Sequence, residues 1–263
     1  MSPDQSQTAY AASAADLALR ALDALHGVGG TAMLAEHVER SDDPKAALAA
    51  LRIVGADAFA PYLLSDMVFH PQDAAAVAQS FAVFQPSVSP PAAPPEGAAE
   101  PWLVAWRDWA TAALLERFAD PRTVGGLAPQ PTGAPMLTAP MLTAPLRDDT
   151  TTHSGHAGTG WQQWSVRMGQ LSPLALPQLD GPVHGAARAA PQALARGATR
   201  AMLRRDYPTA ARIARWLALL ASENVALPLD PEPLVEHLRL HGGGPRLALD
   251  VAIARRLLGP ETT

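Results

Sequence analysis

Apolar residues along this chain recur at helical spacing in one short segment after another, and strand-like alternation is hard to find anywhere. Leu17, Leu22 and Leu25 ride on an alanine-rich stretch over 8–26, which stops at His26-Gly27-Val28-Gly29-Gly30. Val77, Phe81 and Phe84 fall at i, i+4 and i+7 within 71–84, the spacing of one helix face. The same pattern predicts helices over 31–40, 57–68, 101–118, 161–171, 191–205, 208–222, 231–241 and 245–258, and another from Pro44 to Gly55.

Proline supplies the punctuation. Pro44, Pro71, Pro101, Pro191, Pro208, Pro231 and Pro245 each precede an apolar-patterned run. Proline suits a helix start, where its missing N–H has no partner to lose and its fixed φ already fits. Asp43 stands just before Pro44 as the expected N-cap.

Two stretches break the pattern. Residues 85–100 are rich in proline and read as a semi-rigid linker, dividing an N-terminal helical subdomain (1–84) from a C-terminal one (101–263). Residues 119–158 have almost no periodicity and read as a long irregular, flexible loop, with Pro-Met-Leu-Thr-Ala repeated at 135–139 and 140–144. The fold expected is all-α, roughly nine or ten short helices packed as antiparallel hairpins.

Composition sharpens this. Hydrophobic residues make up 48% and aromatics only 5%, so the core is built mainly of Ala, Leu and Val, which favours helix. The absence of cysteine excludes disulfides, thiolate metal sites and thiol nucleophiles. Polar residues 1–10 lack the cationic and apolar regions of a signal peptide, and no apolar run reads as a membrane span, so the expectation is a cytoplasmic protein with no membrane partner. Lys45 is the one lysine among 20 basic residues, a bias typical of GC-rich bacterial coding. Residues 1–100 carry 12 acids against 4 bases and residues 101–263 carry 13 against 16, so halves of opposite sign can dock on each other or face different partners.

Leu34-Ala35-Glu36-His37-Val38 recurs as Leu234-Val235-Glu236-His237-Leu238. A turn follows in both places, then Pro44-Lys45 or Pro245-Arg246, then Ala and Leu, and a helix ending at Gly55 or Gly259. Over 31–55 and 231–259 this unit resembles the HEAT-type helical hairpin repeat. The resemblance implies packed antiparallel helix pairs more than an extended solenoid, because a sustained period of about 40–47 residues is missing.

Candidate chemistry is sparse. Arg196, Arg200 and Arg204 are spaced four apart, with Arg205 adjoining, and form a stripe that reads as a solvated face or a dock for the acidic N-terminal half, or else as a surface for phosphates, a nucleic acid backbone or an acidic protein face. Trp102, Trp106 and Trp109 share a helix face, either as core bulk or as an aromatic wall for a ligand. His237 and His241 stand four apart as a two-histidine metal site needs, and His153 and His156 could complete it if the loop folded back. The bland reading of all four is surface or capping histidines, so no metal and no cofactor is expected.

Gly27-Val28-Gly29-Gly30-Thr31-Ala32 matches a phosphate-loop formula, but a helix rather than a strand precedes it, which makes it a turn. No catalytic signature is present. The function expected is therefore a non-catalytic interaction or scaffold protein binding another protein through its helical surface and the loop 119–158. Two alternatives stay open: a helical enzyme of small-molecule metabolism with a tryptophan-lined pocket, and nucleic-acid or phosphate binding through the arginine stripe. Exposed apolar helix faces also permit a homodimer.

Overall fold

Most helices do begin at proline. The computed structural model describes residues 3–65, 67–86, 91, 98–119, 160–241 and 243–259. Its first helices are α1 (Pro3–Leu25), α2 (Met33–Glu39), α3 (Pro44–Val54), α4 (Ala60–Leu64), α5 (Pro71–Val83) and α6 (Ala99–Phe118). The later ones are α7 (Trp161–Gln170), α8 (Pro182–Ala189), α9 (Pro191–Leu203), α10 (Tyr207–Ser222), α11 (Pro231–Leu240) and α12 (Pro245–Leu258). Among the described residues there are also two 3₁₀ turns, Gly55–Phe59 and Ser172–Leu174, and no strand. The fold is all-α, as the periodicity predicts.

Pro208 is the second residue of α10 and Pro101 the third of α6, which starts at Ala99. Helix α8 lies outside every segment whose apolar spacing predicts a helix; burial of Val183, His184 and Ala187 holds it. Most of the expected linker (87–90 and 92–97) and of the expected loop (120–158), with His153 and His156, lies outside the described residues.

Side-chain oxygens close several helix starts. Asp43 accepts from the Ala46 amide at 3.0 Å, Asp206 from Thr209 at 3.2 Å and Asp230 from Glu232 at 3.0 Å. For α2 the cap comes from elsewhere in the chain. Buried Asp73 on α5 accepts from the Leu34 and Ala35 amides at 2.8 and 3.0 Å, and from the Tyr62 hydroxyl at 2.9 Å. Burial followed by the neighbouring Asp73 charge raises the Tyr62 pKa far above its usual value, so the hydroxyl stays a donor.

Helix α12 lies against α1 on one side and α10 on the other, and so joins the first third of the chain to the last. Around it, α1 packs on α3, while α10 packs on α7, α9 and α11. Both sequence-related units form helix pairs, α2 with α3 and α11 with α12. Their buried faces differ: His37 is buried with Met33, Leu34 and Ala35, whereas His237 is exposed and α11 buries Pro231, Val235 and Leu238.

Small residues set the helix spacing. A Cβ on Gly197 of α9 would stand 2.4 Å from the Ser165 Cβ of α7, so these two helices cross at a distance only glycine allows. Four tryptophans, Trp102, Trp106, Trp164 and Trp216, fill the volume that alanine leaves. The stretch Pro44–Leu64 is long and apolar enough to cross a membrane, but 78% of its apolar window is buried inside the protein. That burial marks it as core.

Candidate functional site

Helix α9 buries Ala193, Leu194, Ala195, Gly197, Ala198 and Ala201 and turns its other side outward. Arg196 is half-buried there and Arg200 exposed. Together with Trp161, Leu203, Pro228 and Leu229 they line an open groove of about 530 Å³. The helix ends at Leu203, so Arg204 is its C-cap and Arg205 lies beyond it at φ 57°, in the left-handed region. The stripe thus continues off the helix end as two exposed guanidiniums. Leu203, between them and Arg200, is 82% exposed.

The tryptophans of α6 face inward. Trp102 and Trp106 are fully buried and meet edge to face at 6.3 Å, and Trp109, half-buried, meets Trp106 at 5.5 Å. An aromatic wall for a ligand would need the Trp102 and Trp106 rings accessible, and they are enclosed as core. Their indole N–H groups find no partner among the described residues.

His237 and His241 do face each other, with Nε2 atoms 2.9 Å apart, and Tyr207 stacks on His241 at 4.0 Å. No third histidine or carboxylate joins them, since no group of three such ligands occurs among the described residues.

A second charged site has no counterpart in the sequence reading. Arg215 of α10 is completely buried and bridges two buried carboxylates: Nη1 donates to Asp250 of α12 at 2.7 Å and Nη2 to Asp57 of the first 3₁₀ turn at 2.6 Å. Arg246 also donates to Asp57, and its Nε lies 3.5 Å from Asp250. Burial alone would raise the Asp57 carboxyl, but Arg215 and Arg246 outweigh it and hold its pKa below the ordinary value. Burial also works against charge on Arg215 and, less strongly, on the half-buried Arg246, and the two carboxylates overcome it, raising both pKa values. This network pins residue 57 to residue 250.

In front of it opens a cleft of about 520 Å³, walled by Ile53, Leu103 and Pro173 and carrying Arg107, Arg212, Arg246, Gln170 and Ser172, with Glu100 at its edge. Arg246 and Arg212 each reach toward Asp250 from this side, Arg212 at 3.9 Å. Arg107 has no carboxylate within ion-pair distance among the described residues; its neighbour Asp108 turns to Arg52 instead, accepting at 3.1 and 2.5 Å. Burial, then repulsion from Arg246, lowers the Arg107 pKa. The Arg107 Nε and the Ser172 Oγ are both buried without a hydrogen-bond partner.

The signal that could have exposed this cleft is charge inside apolar runs. Arg107-Asp108 interrupts an α6 segment of Trp, Leu and Ala, Arg215 lies within Ile213–Leu220, and Asp57 and Asp250 sit in equally apolar surroundings. A charge on an apolar helix face requires a partner from another element. No family model, curated protein or solved structure matches this chain.

Proposed function

We propose that this chain is a non-catalytic interaction protein that holds an acidic partner protein against the outer side of α9. The observation that carries the reading is Leu203, 82% exposed amid Arg200, Arg204 and Arg205 at the rim of a groove containing Trp161 and Leu229. A leucine so placed contributes nothing to this protein's own core. Beside an apolar groove and a cationic rim it suits a partner segment that carries one apolar anchor among carboxylates.

A nucleic acid would use the arginines but gain little from the leucine and the groove. The test is affinity capture from the source cell with the wild-type chain, Leu203→Asp and Arg200→Glu, each with and without nuclease. Expected is an acidic protein in stoichiometric amount, retained after nuclease, weakened by added salt and reduced at least about tenfold in both variants. Capture unchanged in the two variants, or abolished by nuclease, would overturn the reading.

A further inference from the structure

We propose that the cleft between α6, α7, α10 and α12 is a binding site for a phosphorylated small molecule, separate from the α9 face. Three guanidiniums line it, those of Arg107, Arg212 and Arg246, and behind them the buried Arg215 joins the two buried carboxylates of Asp57 and Asp250. Arg52 and Asp108 satisfy each other, so they leave this balance unchanged. Even with Glu100 counted at the edge, the cations are in excess.

A fold that only needed Arg215 to join its two carboxylates would not place a further guanidinium, Arg107, where it repels Arg246 and loses hydration. The polar groups that reach the cleft beside them favour an anion as well. Ser172, 1% exposed, carries a hydroxyl with no partner, and Arg107 has an Nε with none. Buried donors left unpaired cost stability, and because both residues line the cleft, a rotation of either side chain toward it would let a ligand oxygen satisfy the donor.

Geometry favours phosphate over carboxylate. Arg107, Arg212, Arg246 and Ser172 come from four different elements and so approach from several directions. A tetrahedral group offers acceptor oxygens to all of these directions, whereas a carboxylate offers two in one plane. The N-terminus of α12, whose second residue is Arg246, adds its partial positive charge. A volume of about 520 Å³ far exceeds a bare phosphate, so the phosphate belongs to a larger molecule whose body lies on Ile53, Leu103 and Pro173.

The test is calorimetric titration at low ionic strength with phenyl phosphate, inorganic phosphate and benzoate, on the wild type, Arg107→Met and Ser172→Ala. The wild type should bind phenyl phosphate saturably, more tightly than inorganic phosphate and at least about tenfold more tightly than benzoate. Arg107→Met should weaken phenyl phosphate at least about tenfold and Ser172→Ala about fivefold. Thermal melting of the free proteins separates binding from folding: Arg107→Met removes a repelled, partly unsatisfied cation and should melt no lower than wild type. Failure of phenyl phosphate to bind at millimolar concentration, equal binding of benzoate, or undiminished binding in both variants would overturn the proposal. So would a lower melting temperature in Arg107→Met, which would make Arg107 a structural residue.

Discussion

Arg215 shows how far one side chain can bind a fold together. It is fully buried and meets Asp57 and Asp250, residues far apart in the chain. Arg215→Met keeps the volume but takes from Asp250 its hydrogen-bonded guanidinium, leaving the more distant Arg246 and Arg212, and from Asp57 one of its two partners, and should cost about 3 kcal/mol or more in a denaturant melt. Two buried histidines set a second expectation at this scale. Burial lowers the pKa of His184, whose Nε2 sits 2.9 Å from the Leu174 carbonyl, and of His37, whose neighbour Asp16 only partly offsets the effect. A histidine with a depressed folded pKa binds fewer protons folded than unfolded, so its contribution is complete above the ordinary value of 6.5 and is lost as pH falls below it. The melting temperature should therefore decline from about pH 6.5 downward, and His184→Gln should flatten that decline. An unchanged slope in the variant would show that His184 does not contribute.

Among the elements, the sharpest constraint is the α7–α9 crossing at Gly197. Alanine there gains helix propensity of about 1 kcal/mol but forces its Cβ into Ser165 at 2.4 Å. The clash should win: Gly197→Ala is expected to destabilise by about 1–3 kcal/mol, and adding Ser165→Gly should recover part of the loss. Chemical denaturation of the single and double variants checks both. Helix starts were legible in sequence because proline and aspartate act locally, at Pro44 with Asp43 and at Pro231 with Asp230. The α2 cap was not, because Asp73 reaches it from 39 residues away. Helix α8 was missed for a related reason: its alanines and glycine carry little pattern, and tertiary burial of Val183 and His184 decides it.

At the scale of the whole molecule, the opposite charges of the two chain halves do meet, but through a few buried contacts. Asp57 receives Arg215 and Arg246, whereas Arg52 and Asp108 pair in the reverse sense, base from the acidic half and acid from the basic one. Counting charges along the sequence suggested the attraction; it could not say that Arg107, Arg212 and Arg246 would converge from three helices. The α9 stripe was readable because all its members lie on one helix and its cap, whereas the groove beside it needs Trp161, Pro228 and Leu229 from elsewhere. The two proposals thus fall on separate surfaces of one helical body, the outward cationic and apolar face of α9 and the inward cleft beside Arg107. The measurement that tests the central claim most directly is amide hydrogen exchange of the chain alone and with its co-purified acidic partner. Added protection concentrated in 192–205 and 226–229 is the predicted result. Protection confined to other helices, with α9 unchanged, would contradict it.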